Sequence, residues 1–164
     1  MRRLPYYRPR LRISAGQGLE ERGLHAAAFV PRRHIVVAGG LLARSAELRR
    51  ILYHEIFHFV WTRLGNPLRL SYEEVLRRER CEGARGELGW SAEQGKSALS
   101  AADVRGRSRR WREYVCESFC DSAAWFCLDG RPHHEEWTLR PRFRRRRRHW
   151  FSTSDVLPRL QAIM

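Results

Sequence analysis

Between Ser45 and Leu64 the apolar residues Ile51, Leu52, Ile56, Phe59, Val60 and Leu64 recur with a helical period. Ser45 is a suitable N-cap, and Glu47 sits in the first turn, where a negative charge is favoured. Gly65 supplies the stop, and Asn66-Pro67 prevents continuation. Ser71-x-x-Glu74 has the form of a capping box and predicts a second helix through Val75 and Leu76 to about Cys81. A third stripe, Val115, Cys116, Phe119, Cys120, Ala123, Phe126 and Cys127, predicts a helix over Arg109 to Leu128 that Asp129-Gly130 terminates. Before these helices, Leu11 to Ala15, Ala26 to Val30 and His34 to Ala38 read as short strands. The last two are separated by Pro31-Arg32-Arg33, as in a hairpin or a neighbouring pair, and Gly39-Gly40 ends the second. Residues up to Arg10 form a Pro- and Arg-rich arm, Gly83 to Ser108 reads as loops with a short helix from Ser91, and Ser154 to Ile163 is a last amphipathic piece. The predicted class is α+β: one domain over residues 1–164, with an insertion at about 68–112 and a basic C-terminal tail at about 131–164.

A chain of 164 residues buries a core without needing a metal or a disulfide as a staple, so a metal site would serve function rather than folding. Its formal charge is +14, but all but one of the 32 basic residues are Arg, with Lys96 the single lysine. Such a skew fits a general preference for Arg as well as it fits a polyanionic partner. Five arginines run from Arg144 to Arg148 and precede His149-Trp150-Phe151. That run reads first as a solvated basic segment anchored by its aromatics, and second as a weak, nonspecific nucleic-acid contact. No stretch is apolar enough to span a bilayer, and the basic start lacks the apolar centre of a secretory signal. The expected location is cytoplasmic. Cys81, Cys116, Cys120 and Cys127 form no CxxC pair and read as reduced, core-packing residues.

The most specific feature is His54-Glu55-Ile56-Phe57-His58, an HExxH sequence. With seven histidines in the chain, chance placement produces about 0.025 such matches. On a helix, residues four apart share a face, so both imidazoles can bind one zinc ion while Glu55 reaches the water that the metal activates. Zinc keeps its Lewis acidity with neutral imidazole ligands, and a carboxylate that is not a ligand can accept the proton.

A catalytic zinc needs a third protein ligand and one open position. Glu117 is the leading candidate. Asp121, one turn on, is placed to accept the other N–H of a ligand histidine and orient its ring. Glu113 is the rival third ligand, His133 and His134 would make a three-histidine site, and Cys116 or Cys120 could contribute a thiolate.

HEIFH followed by Glu117-Ser-Phe-Cys-Asp121 resembles the gluzincin zinc metallopeptidases, whose pattern is HExxH and then ExxxD on a second helix. The strand before the first helix and the ESFCDSAAWF segment are most similar to minimal bacterial proteins of the ImmA/IrrE type, over roughly His25 to Leu128. The resemblance implies a zincin-like fold with His54, His58 and Glu117 as zinc ligands, Glu55 as general base and Asp121 as partner of a ligand histidine. It implies hydrolysis of peptide bonds in a peptide or protein substrate. The family's oxyanion-stabilising donor has no matching position; Tyr114, His133, His134 and His149 are the candidates. The alternative reading is a non-catalytic zincin-like module whose basic surface binds nucleic acid or acidic partners.

Overall fold

The computed structural model describes residues 11–16, 19, 25–131, 133–154 and 156. The N-terminal arm lies outside the described residues, as does the predicted piece Ser154 to Ile163 apart from Ser154 and Val156. The described residues form a mixed α+β structure, mostly helical, with six helices and a three-stranded sheet.

Strand β3 (His34–Ala38) is the middle strand. It pairs in parallel with β1 (Arg12–Gly16) and antiparallel with β2 (Ala26–Phe29), so the sheet order is β1-β3-β2. The register sets Ile13 and Ala28 opposite Ile35. Alternation along β3 turns Ile35 and Val37 into the core, while His34 reaches Ser14 Oγ at 2.8 Å. Between β2 and β3, a short 3-10 turn at Val30–Arg32 holds Pro31, so the strand ends at Phe29 and Val30 belongs to the turn.

Helix α1 (Ser45–Arg63) ends where Gly65 and the following proline require. Ser45 lies inside the helix rather than capping it, since Arg44 occupies the cap position without a side-chain bond. Helix α2 (Asn66–Cys81) is capped at Gly65, well over a full turn before the cap that Ser71 predicts. Pro67 is tolerated in a first turn, where its missing N–H has no partner to lose, so it starts α2 as well as closing α1. Ser71 instead donates to Leu68 O at 3.0 Å from within the helix.

The polar stretch holds two short helices, α3 (Trp90–Ser97) and α4 (Ala101–Gly106), the latter opened by a Ser100–Asp103 capping box. Helix α5 (Arg109–Cys127) is capped by Ser108 and ends where Asp129 and Gly130 take left-handed backbone angles of 50° and 68° in φ.

Helix α1 packs most extensively against α5. Phe119 of α5 is the hub of the core: its ring lies 5.8 Å from Phe57, 5.0 Å from Trp61, 5.5 Å from Tyr72 and 5.5 Å from Phe151. Residues 68–112 supply Tyr72, Leu76, Leu88 and Ala92 to the buried core, so this stretch is built into the fold and is not appended to it.

The Arg144 to Arg148 run corrects the picture of a basic tail. It lies in helix α6 (Pro141–Thr153), whose Phe143, Arg147 and Phe151 are buried. Arg147 is fully enclosed. It donates to Glu79 at 2.7 Å and to Glu87 at 2.6 Å, and it also reaches the Ser118 and Ser122 hydroxyls at 3.0 Å. Tyr114 donates to Glu87 at 2.6 Å, and Lys96 pairs with it at 3.1 Å. Burial alone would raise the Glu87 carboxyl, but the charge and hydrogen bonds of Arg147, helped by Lys96, bring it down to about 2. Of the remaining arginines, Arg144 donates to the backbone oxygens of Leu139 and Trp137, Arg146 pairs with Glu82, and Arg148 pairs with Asp129. Four of the five arginines are therefore engaged with the protein's own groups.

Candidate metal centre

Helix α1 presents His54 and His58 on one face, and the facing side of α5 presents Glu117 and Asp121 one turn apart. Three donor atoms converge. His54 Nε2 lies 3.2 Å from His58 Nε2 and 3.3 Å from Glu117 Oε2, and His58 Nε2 lies 3.8 Å from Glu117 Oε1. Donors bonded to one tetrahedral ion at about 2.0–2.1 Å sit about 3.3–3.4 Å apart. The side chains thus already hold nearly the separations that a shared zinc would impose. Two imidazole nitrogens this close need a proton or a cation between them, because two lone pairs would repel.

Asp121 Oδ1 accepts from His54 Nδ1 at 2.7 Å. With that proton fixed, the lone pair of His54 is on Nε2, facing the other donors. Burial disfavours charge on His54, but Asp121 and then Glu117 outweigh it and raise its pKa well above the usual value. For Glu117, burial works upward while the hydrogen bond from His54 and the charges of both histidines bring it below the ordinary carboxylate range. Both directions describe a negative carboxylate facing imidazoles that attract positive charge.

Glu55, one residue after His54, is buried and is not one of the three converging donors. Burial raises its pKa, with the histidine charges opposing, and so strengthens it as a base.

Glu55, His54 and Asp121 line a cleft of about 250 Å³ together with His25, Arg50, Trp90 and Glu136. Sequence reasoning missed the last four. Arg50 precedes His54 by four residues and so shares its face of α1, a signal that was legible. His25, Trp90 and Glu136 reach the cleft from segments distant in sequence, and no local pattern marks them. Arg50 bridges Glu47 at 2.6 Å and Glu136 at 2.9 Å. Gly89 approaches Asp121 so closely that a Cβ there would overlap the carboxylate.

The rival candidates lie elsewhere. Glu113 is exposed and pairs with Arg109 at 2.7 Å. Tyr114 is buried on Glu87, away from the histidines. His134 pairs with Glu47 at 3.0 Å, His133 packs near Trp137, and His149 is exposed on α6. Cys116 is not merely core: its Sγ lies 3.6 Å from His58 Nδ1, and His58, Cys116 and Cys120 form a second group of potential metal donors among the described residues. Cys81 is exposed rather than packed in the core. Among the described residues no helix is long and apolar enough to cross a membrane. Comparison with protein-family models, with curated proteins and with solved structures finds no match to this chain.

Proposed function

We propose that the protein is a zincin-like, zinc-dependent metallopeptidase in which His54, His58 and Glu117 hold the metal and Glu55 is the general base. The observation that carries this reading is the approach of two imidazole nitrogens and a carboxylate to 3.2–3.8 Å of one another, beside a buried carboxylate that is not one of the three. The donor chemistry fits zinc: two nitrogens and one oxygen, with a fourth position left for water or substrate. When bound, zinc supplies Lewis acidity, polarising the scissile carbonyl and acidifying a water.

The remaining work falls to the chain. Asp121 holds the His54 ring so that Nε2 faces the metal position. Glu55, made more basic by burial, accepts the proton of the attacking water and passes it to the nitrogen of the leaving amine. Among the described residues, strand β2 pairs on one side, with β3, and its Ala26 lines the cleft, which gives an extended peptide a strand edge beside the reacting groups.

The test is a Glu55→Gln variant loaded with zinc and assayed on an unfolded protein substrate. The reading predicts full zinc occupancy with hydrolysis reduced by about 10²-fold or more. Equal hydrolysis by variant and parent refutes the role of Glu55.

A further inference from the structure

The facing side of α5 carries two rows of donors, and the proposed zinc site uses only one of them. Glu117 and Asp121 meet His54 and the Nε2 side of His58. Cys116 and Cys120, each one residue earlier, form a parallel row one helical turn apart. His58 faces both rows, with Nε2 toward Glu117 and Nδ1 toward Cys116 Sγ at 3.6 Å. Both cysteines are free thiols, and one donor atom from each of His58, Cys116 and Cys120 lies within 4.8 Å of the others.

We propose that Cys116, Cys120 and His58 Nδ1 form a second metal site, for a soft monovalent ion such as copper(I), which competes with zinc because the two sites share one imidazole. Geometry supports a three-coordinate ion. Bonds of about 2.0–2.3 Å in a trigonal arrangement place the donors about 3.5–4.0 Å apart, and the 3.6 Å between His58 Nδ1 and Cys116 Sγ falls within that span. Ligand chemistry selects the ion: thiolate donors favour copper(I), whereas zinc completes four ligands, and the group among the described residues offers three. Cys120 is fully buried, while Cys116 and His58 are half-buried, so an ion enters past Cys116 and is held away from water.

Competition follows from the imidazole itself. A neutral ring has one lone pair. When Nδ1 binds copper the ring proton resides on Nε2, which then cannot ligate zinc; serving both ions would require a second deprotonation. Binding copper(I) therefore displaces the two thiol protons, moves the His58 proton from Nδ1 to Nε2, and changes no oxidation state. The competition rests on the proposed zinc site; the copper site does not.

Anaerobic titration of the metal-free protein with copper(I), against a chromophoric copper(I) chelator, tests the site. The expected result is one tightly held ion per chain, with affinity reduced at least 100-fold in Cys116→Ser and in Cys120→Ser and retained in Glu117→Gln. Copper X-ray absorption on the unsubstituted protein is the second measurement, since Cys120→Ser alters a fully buried position and so tests folding as well as binding; it should show two sulfur ligands and one nitrogen. Copper that stays tightly bound in both serine variants, or a copper shell without sulfur, overturns the proposal. Preloading with copper(I) should weaken zinc uptake at least tenfold in the parent and leave it unchanged in Cys116→Ser. Tight, simultaneous binding of both ions overturns the competition. A protein that takes up copper(I) but never zinc would refute the zinc reading and leave the copper site standing.

Discussion

Gly89→Ala places a methyl group where the Asp121 carboxylate now lies. The backbone at Gly89 is fully extended, with φ of −176°, which any residue adopts, so the effect of the substitution is spatial. Asp121 is buried and its side chain is short, and one carboxylate oxygen is committed to His54 at 2.7 Å. Making room for the methyl group means moving the carboxylate off the imidazole. A hydrogen bond to a charged group contributes about 1.5–3 kcal/mol, and loss of the partner that orients a metal-ligating histidine weakens metal binding by about 10–100-fold. Gly89→Ala should therefore lower zinc affinity by that factor although it touches none of the three proposed ligands. The assay is chelator competition for zinc, with thermal melting of the metal-free protein to verify folding. The decisive comparison is made in an Asp121→Ala background, where the overlapping atoms are gone: there Gly89→Ala should change zinc affinity by less than twofold. Unchanged affinity in the single variant, or an equal loss in both backgrounds, would refute the reasoning.

Further predictions concern the enclosed ion cluster and the basic helix. Arg147→Met leaves Glu79 and Glu87 buried without their main partner and should destabilise the protein by about 3–5 kcal/mol in urea unfolding; a loss under 1 kcal/mol would mean that the cluster is slack. The depressed Glu87 carboxyl contributes stability that is complete above its ordinary value of 4.5 and lost as pH falls from there toward about 2. Acid unfolding curves should show a loss of a few kcal/mol over that window, and Arg147→Met should remove most of it. Arg145 is the exposed member of the arginine run, so Arg145→Ala should reduce the log–log salt slope of any DNA binding by no more than about 1, without affecting melting. A larger change in slope would mean that the paired arginines release their internal partners for phosphates.

The elements that were legible are those whose apolar residues repeat without interruption. His34 to Ala38, with Ile35 and Val37 alternating, was read at its observed bounds, and the α1 and α5 stripes placed both ends within a residue. Helix α6 was illegible because the inward residue between Phe143 and Phe151 is Arg147. The four-residue spacing of 143, 147 and 151 is a helical face, but its middle member is a charge that only distant Glu79 and Glu87 make burial possible for. Ser71 misled for a different reason: a capping box is a local pattern, and Pro67, five residues earlier than Tyr72, already satisfied the requirements of a helix start. In the candidate site, the pairing of His54 with Asp121 follows from two helical faces meeting, which periodicity can anticipate. The close approach of Gly89 and the placement of Trp90 and Glu136 depend on how the loops cross the cleft, and nothing in their immediate sequence encodes it.

The central claim is that one zinc ion sits among His54, His58 and Glu117. X-ray absorption at the zinc edge on protein loaded with one equivalent of zinc tests it most directly. The account predicts only nitrogen and oxygen ligands, at about 2.0–2.1 Å, with histidine scattering beyond them. A sulfur shell at about 2.3 Å would place the ion on Cys116 and Cys120 instead, and a protein that retains no zinc would contradict the account outright.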